Sequence, residues 1–266
     1  MTFKHKTSAL ALCALAVALL FGPRTGWSQS TNDGPVFAVG VKAWENQWTS
    51  WYPALAGNGT TRIKVVETVS SDYHFALIPQ ASVRYGDWLL SGSYFTSTNY
   101  SLNGIIDPET GFPGSLSATR KEWDAAAGYY VLPGVAFTLG YKQIEQEYGP
   151  ETFKWEAPTI GVSGSAALRS PLALYGTFII GFPRMHASVV DDAGNNSYSA
   201  NYLLGEFGAS YSIAVRGKLG LTATLGYRAQ TVTTKDYAVA TGFNGFATVN
   251  VHDITQGPTF GVIARY

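Results

Sequence analysis

Cysteine is nearly absent from this chain of 266 residues. Its one cysteine, Cys13, lies inside an unbroken apolar run from Ala9 to Phe21, with Leu12 directly before it. A lipid-modified cysteine would instead follow a small residue at the end of such a run. Removal of the N-terminal segment would leave a mature chain without cysteine, which excludes disulfides and thiol catalysis.

The segment around Cys13 has the order of a secretory signal peptide. Lys4 and Lys6 supply a basic start, the apolar run follows, and Gly26 and Ser28 are small residues at positions −3 and −1 of a cleavage after Ser28. The run is too short to span a bilayer as a helix, although an N-terminal membrane anchor is the alternative. We therefore expect residues 1–28 to be a signal peptide and residues 29–266 to form one domain.

Charge is also scarce, at 14% of the residues, and 18 Lys and Arg balance 18 Asp and Glu. Removing Lys4, Lys6 and Arg24 with the signal leaves 15 basic residues against 18 acidic ones. The mature chain therefore has no basic field for nucleic acid. Its sequence also has no apolar stretch long enough for a transmembrane helix, so a membrane-spanning structure would have to consist of strands.

Apolar and polar residues alternate with a period of two along almost the whole mature sequence, and no helical stripe is sustained. Val, Tyr, Phe, Trp and Thr are frequent in the alternating segments, as is typical of strands. We predict ten strands. They cover residues 36–45, 74–85, 88–99, 120–131, 135–147, 155–168, 172–184, 198–213, 218–230 and 253–266.

The predicted connections fall into two alternating classes. Tight turns occur at residues 86–87, 132–134, 169–171 and 214–217, whereas the other connections are longer. Short turns on one side and long loops on the other are typical of bacterial outer-membrane barrels. Residues 62–69 in the first long loop are strand-like, and we interpret them as a hairpin extension above the membrane. Twelve strands is the next choice.

The two faces of the strands indicate lipid on the outside. One face of the segment 135–147 carries Val135, Phe137, Leu139 and Tyr141, whereas the opposite face is small or polar. A soluble barrel would turn the apolar face inward and cover the outside with charge, which this chain lacks. Lipid also offers no partner to an unpaired strand edge. The pattern predicts an all-β fold, a closed antiparallel up-and-down transmembrane β-barrel.

The last ten residues carry a family resemblance. Phe260, Val262, Ala264 and Tyr266 put an aromatic residue at the C-terminus and apolar residues at every second position before it. This segment resembles the terminal strand of bacterial outer-membrane β-barrels. The resemblance implies a location in the outer membrane, contact with outer-membrane lipid, and recognition of these four residues by the barrel-insertion machinery.

Aromatic residues near the strand ends are candidates for the two interfacial girdles of such a barrel. The candidates are Trp44, Trp123, Trp155 and Tyr202 toward the long loops, and Tyr85, Trp88, Tyr129 and Tyr211 toward the short turns.

Charged residues on the small, polar face are the candidate functional residues of the lumen. One interpretation is a charged constriction in a narrow channel for small solutes. The other is an internal ion-pair network that fills a narrow barrel, since ten strands leave little room inside. The candidates are Lys42, Arg84, Asp124, Lys142, Glu206, Arg228 and Arg265, with Glu122 nearer the rim.

Three functions therefore stay open. The first is passage of a small solute that the sequence does not identify, and the second is a non-conducting structural or surface-recognition barrel, with loop aromatics such as Trp48, Trp51 and Phe243 as anchors. The third, a rim hydrolase, is less favoured. Omptin-class outer-membrane proteases use rim Asp and His residues, but this chain does not reproduce their motifs. We expect no enzyme activity, cofactor or metal site.

The hydrolase alternative rests on two pairs of residues at the tops of the second and last predicted strands. These are Asp72 with His74 and His252 with Asp253.

Overall fold

A computed structural model of the protein describes residues 34–58, 61–106, 113–191, 193–216, 219–241 and 245–266. The predicted signal peptide lies outside these residues. In the described part of the chain, no helix is long and apolar enough to cross a membrane. Regular structure there consists of strands. These are β1 (Val36–Asn58), β2 (Thr61–Ser71), β3 (His74–Tyr85), β4 (Trp88–Ile106), β5 (Pro113–Leu132), β6 (Val135–Tyr148), β7 (Glu151–Arg169), β8 (Leu172–Gly181), β9 (Arg184–Ala187), β10 (Ser197–Arg216), β11 (Leu219–Thr241) and β12 (Gly245–Arg265).

The strands form a closed antiparallel ring with ten positions. β1 pairs with β12 on one side and with β3 and β2 on the other. β2 and β3 share one position, as do β8 and β9, because the chain leaves the strand conformation briefly at residues 72–73 and 182–183. The predicted ten-stranded barrel is therefore confirmed. The predicted hairpin extension is also present, formed by the upper half of β1 and by β2.

Most strands are longer than the sequence predicted. β1 continues thirteen residues beyond its predicted end at residue 45, and β12 begins at Gly245 rather than at residue 253. The predicted loop 231–252 is thus largely paired strand, and the prediction of a loop there was wrong. In the connection 46–73, the paired hairpin is longer than the predicted strand-like segment 62–69. Apolar alternation weakens where the wall leaves the membrane, but backbone hydrogen bonding between the strands continues.

The wall of the barrel is arranged with its apolar side chains outward. Leu139 is 66% exposed, and Leu172, Leu174 and Phe178 on β8 are exposed as well. The residues between them, such as Thr177, face the lumen with other small polar side chains. Apolar side chains in contact with lipid and polar ones in the lumen are the pattern of a transmembrane barrel.

Aromatic residues mark the two edges of the apolar band. Tyr85, Trp88, Tyr129 and Tyr211 are exposed near the short turns, as predicted, and Trp123 packs against Tyr141 at the other edge, with ring centroids 5.5 Å apart. Just above Trp123 the outer surface becomes charged. The girdle assignments of Trp44, Trp155 and Tyr202 were wrong, because all three are buried inside the barrel.

The charged surface above the band is made of side chains that point away from the lumen. Lys121 lies 2.7 Å from Glu145 and 3.5 Å from Glu147, and Lys154 pairs with Glu156. Such partly exposed ion pairs belong in water rather than in hydrocarbon. The barrel therefore extends well beyond the membrane on its long-hairpin side.

The C-terminus closes the ring. Phe37 and Tyr266 exchange two backbone hydrogen bonds of 2.9 Å. Phe260, Val262 and Tyr266 are exposed on the outer face, and Ala264 lies half-buried on that face between Val39 and Leu221.

An arginine on the apolar band should destabilise the barrel according to its depth. Leu139→Arg lies in the middle of the band and should lower the free energy of unfolding in lipid vesicles by about 2–4 kcal/mol. The control, Gln143→Arg, lies on the same face of β6 above Tyr141 and should cost no more than about 1 kcal/mol. Equal costs for the two variants, measured by denaturant titration, would contradict the assigned band.

Candidate functional site

The half of the lumen nearest the short turns holds a polar cavity of about 490 Å³, here called the inner vestibule. Small side chains from all around the ring form its wall, including Ser91, Thr138, Ser163 and Thr222. Charged residues lie at its far end. The hydroxyl groups on its walls make this half of the lumen polar enough to hold water.

Glu122 is the centre of a buried cluster that lies across the lumen above the vestibule. Arg120 donates from Nε at 2.8 Å, and its Nη2 lies 2.7 Å from the same carboxylate oxygen. Lys142 Nζ lies 2.7 Å from the other oxygen, and the side-chain amide of Gln230 donates to the first. Glu122 is 2% exposed and Arg120 1% exposed. Buried charges of this kind are tolerated because each has a partner.

Glu206 is the second centre of the cluster. Its carboxylate pairs with Lys42, lies 3.6 Å from Arg228, and accepts a hydrogen bond of 3.1 Å from the hydroxyl of Tyr175. The ring of Tyr175 fits against Gly208, where a Cβ atom would lie 2.8 Å from Cε1 of the tyrosine. A larger residue at position 208 would therefore clash with the backbone at Leu225 and Gly226 as well as with Tyr175.

The two centres form one layer, which we call the charged layer. It comprises Lys42, Arg120, Glu122, Asp124, Lys142, Glu206, Arg228 and Gln230. Asp124 belongs to it through Lys142, at 3.7 Å, and through the hydroxyl of Ser93, which donates at 2.7 Å.

Aromatic rings cover the cations of the charged layer. Arg228 lies 5.0 Å from the ring centroid of Trp44, and Arg120 lies 5.5 Å from that of Trp48. Lys142 lies 5.6 Å from the ring of Tyr202. These distances are within the range of cation–π attraction. The charged groups and the rings that cover them are buried together at this height of the barrel.

The layer brings together five of the seven predicted lumen residues. They are Lys42, Asp124, Lys142, Glu206 and Arg228.

Arg84 and Arg265 lie apart from the layer, near the short turns. Arg265 donates to the hydroxyls of Ser212, at 3.3 Å, and Thr222, at 2.9 Å. Arg84 stacks over Tyr130 at 4.0 Å, and its exposed side chain donates to the backbone oxygen of Gly86. Arg265 lines the vestibule, and Arg84 lies beside Tyr130, which also lines it.

Glu122 differs from its predicted place, and two members of the layer were not predicted. Glu122 lies in the middle of the layer and not near the rim. Arg120 and Gln230 were missed, although Arg120 is two residues from Glu122 and Gln230 two residues from Arg228. The period of two places each of them on the lumen face, and that signal was sufficient to find them.

A second cavity of about 350 Å³, here called the outer cavity, lies on the long-hairpin side of the charged layer. Tyr148, Phe153 and Trp155 form a continuous aromatic wall, with ring centroids 5.6 Å and then 6.3 Å apart. The remaining lining residues are Ser50, Val69, Leu116, Gln146, Glu151, Met185, Thr234, Tyr237, Val251 and Asp253.

The polar groups of the outer cavity are held in fixed positions. Trp48 Nε1 donates to Asp253 at 3.1 Å, and Trp155 Nε1 donates to the hydroxyl of Thr234 at 3.0 Å. Gln146 Oε1 accepts from the hydroxyl of Tyr148 at 3.0 Å. The Nε2 of Gln146 is buried and has no hydrogen-bond partner among the described residues.

Asp191, in the loop after β9, is bonded to the strand that carries the cavity residue Tyr237. Its carboxylate accepts from the backbone amides of Ala193, Asn195 and Ala238, at 2.9, 2.8 and 3.1 Å. Burial opposes the charge, but the hydrogen bonds from Tyr198 and these amides lower the pKa of Asp191. The bond to Ala238 fixes the strand next to Tyr237, which lines the cavity.

The four rim residues of the hydrolase alternative do not assemble. Asp253 faces the lumen and is buried, whereas His252 points to the opposite face, beside Thr233 and Trp51. His74 pairs with Asn46 of β1 and Asp253 with Ser50, so the two residues are four positions apart along that strand. The structure therefore does not bring His74 together with His252 and Asp253, as the hydrolase alternative requires.

Two other expectations concern loop aromatics and metals. Trp48 is fully buried in the lumen and is no surface anchor, whereas Trp51 is half-buried on the outer face. Phe243 lies outside the described residues. Within the described ranges, no group of three or more His, Cys, Asp or Glu is placed to hold a metal ion.

Comparison with solved structures defines the class of the fold. The outer-membrane protease OmpT from Escherichia coli is 11% identical, with 90% of this chain and 99% of that chain covered and a TM-score of 0.51. The translocator domain of the autotransporter NalP from Neisseria meningitidis is 12% identical over 97% of this chain and 95% of that one, with a TM-score of 0.38. The Pseudomonas putida toluene transporter TodX is 8% identical, with 97% and 93% covered and a TM-score of 0.31.

No family model matches the chain, and no curated protein matches it. The likeness to OmpT shows the fold, and the apolar outer band places that fold in a membrane. The chain has the ten-stranded transmembrane β-barrel fold of bacterial outer-membrane proteins.

The buried pair of Lys142 and Glu122 should show strong coupling. Lys142→Met leaves Glu122 with Arg120, and Glu122→Gln leaves Lys142 with Asp124 and Arg120 without its carboxylate. Each single change leaves buried charge incompletely paired and should cost about 3–5 kcal/mol. The double variant should cost clearly less than the sum, in unfolding titrations in lipid vesicles. The control is Lys121→Met. Lys121 is next to Glu122 in the chain but points outward, where it forms an exposed ion pair with Glu145. Its removal should lower the free energy of unfolding by about 0–1 kcal/mol. Additive costs at Lys142 and Glu122 would show that the layer is not an ion-pair network.

Proposed function

We propose that this protein is a surface-recognition barrel that binds a small ligand in its outer cavity and does not conduct in its resting state. The observation that carries the proposal is the charged layer, which lies directly between the outer cavity and the inner vestibule. A ligand that enters from the long-hairpin side would be stopped by this layer at the bottom of the outer cavity.

The energetics of the layer support a closed lumen. An ion that crossed it would have to separate Glu122 from Arg120 and Lys142, which lie within 2.8 Å of the carboxylate. Separating buried partners leaves uncompensated charge in a site with little water, at a cost of several kcal/mol. Ten strands also enclose too little space for a passage beside a filled layer.

A second candidate is a gated channel for small solutes, and the inner vestibule favours it. Its volume of about 490 Å³ and its hydroxyl-lined walls suit a hydrated solute. Lys42, Arg228 and Arg265 would then favour anions at this end. Conduction by this route requires the charged layer to move aside.

We also propose that Phe260, Val262, Ala264 and Tyr266 form the signal that the barrel-insertion machinery recognises. These residues lie on the outer face of the strand that closes the ring, where a second protein can contact them before closure. Outer-membrane lipid would cover the same face after insertion.

Planar-bilayer recordings separate the two candidates. The unmodified protein should give no steady single-channel current, whereas Arg120→Ala/Glu122→Ala should conduct, because it removes two side chains from the layer and leaves Lys142 with Asp124. The matched control, Lys121→Ala/Glu145→Ala, removes an ion pair from the outer surface and should stay closed. Heat-modifiable migration on gels checks that each variant is folded.

Steady currents from the unmodified protein would overturn the closed barrel and favour the gated channel. A folded Arg120→Ala/Glu122→Ala variant without conductance would show that these two residues do not close the lumen.

A further inference from the structure

We propose that the outer cavity binds a small aromatic amine: an organic cation with one aromatic ring and an oxygen that can accept a hydrogen bond. This inference rests on the proposed function, since it names the ligand class of the same cavity. The aromatic wall, the two carboxyl groups and the side chain of Gln146 support, in turn, the ring, the positive charge and the oxygen of this ligand.

The aromatic wall supports the ring and the positive charge. Tyr148, Phe153 and Trp155 present adjacent ring systems, and Met185 and Leu116 add apolar surface. A cavity of about 350 Å³ is at the small end of ligand sites in proteins, and it suits a molecule of about ten heavy atoms. Aromatic faces also attract organic cations through the negative potential above the ring.

The ionisable groups of the cavity support the sign of the charge. Glu151 and Asp253 are the two carboxyl groups among the described residues that line the cavity, and none of those described residues is Lys, Arg or His. Asp253 is 3% exposed. Arg120, whose charge reaches Asp253 from the layer below, is bound to Glu122. A buried carboxylate in this setting gains from a nearby cation, whereas an anionic ligand would be repelled.

The side chain of Gln146 supports a ligand oxygen that accepts a hydrogen bond. Gln146 lines the cavity, is 1% exposed, and has a buried Nε2 without a hydrogen-bond partner among the described residues. An unsatisfied buried N–H donor costs free energy comparable to a lost hydrogen bond. A hydroxyl, carbonyl or ether oxygen on the ligand would satisfy it.

Four water-soluble probes that differ by one group each test this proposal. Tyramine carries the ring, the ammonium group and the oxygen; 4-ethylphenol lacks the ammonium group; phenethylamine lacks the oxygen; and 3-(4-hydroxyphenyl)propionate carries a negative charge in place of the positive one. Binding to the folded full-length barrel in lipid nanodiscs would be measured by calorimetry and by tryptophan fluorescence. Tyramine should bind about tenfold or more tightly than 4-ethylphenol and phenethylamine, and the propionate should not bind.

Two variants assign these differences to residues. Asp253→Asn should remove the preference for tyramine over 4-ethylphenol, and Gln146→Leu should remove the preference for tyramine over phenethylamine. Glu145→Gln, which makes the same charge change on the outer surface of the barrel, should leave all four affinities unchanged. Each expected effect is a change in the ratio of two affinities measured on the same variant. A general loss of protein stability would weaken the binding of both probes and leave this ratio unchanged.

The outcomes separate the ligand class from the proposed function. Equal binding of tyramine and 4-ethylphenol, or tighter binding of the propionate, would overturn the cationic ligand and leave a closed recognition barrel in place. A preference for tyramine that Asp253→Asn does not change would also overturn the site. Absence of binding by all four probes would overturn this inference, whereas the proposed function fails on conductance of the unmodified protein.

Discussion

Contact with lipid on one side of the wall is the constraint on which the rest of this structure depends. A strand exposes alternate residues on its two faces, so a wall that turns Leu139 and Phe178 to hydrocarbon must turn its other residues to the lumen. Hydrocarbon also supplies no hydrogen bonds, which requires the ring to close at the pairing of β1 with β12. The polar residues are thereby confined to a narrow interior, where they have to satisfy one another.

The charged layer follows from that confinement. Glu122 on β5 pairs with Arg120 of the same strand and Lys142 of β6, whereas Glu206 on β10 pairs with Arg228 of β11 and Lys42 of β1. Rings of Trp44, Trp48 and Tyr202 cover Arg228, Arg120 and Lys142. The layer divides the interior into two compartments of different character. The vestibule below it is lined by hydroxyl groups, and the cavity above it by aromatic rings and carboxyl groups. The proposed recognition function comes from this division, since the same layer that closes the lumen provides the floor of the outer cavity.

The sequence was sufficient to predict the architecture because a period of two assigns every residue to a face. It placed Lys142 and Glu206 in the lumen and Leu172 outside. The girdle assignments failed for Trp44 and Tyr202, because they followed position near a strand end instead of the period, which puts Trp44 on the face of Lys42 and Tyr202 on that of Glu206. The outer cavity was beyond prediction. Its walls combine Tyr148, Met185 and Asp253 from distant strands, and the register that brings them together is set by pairing around the whole ring.

The most direct test of the inside-out wall is quenching of tryptophan fluorescence by lipids with brominated acyl chains. Variants that keep one tryptophan each would be inserted into such vesicles, with the others changed to phenylalanine. Trp88 and Trp123, which are exposed on the apolar band, should be quenched, whereas Trp44 and Trp155, which are buried in the lumen, should keep their emission. Quenching of Trp44 and Trp155 with protection of Trp88 and Trp123 would contradict the account.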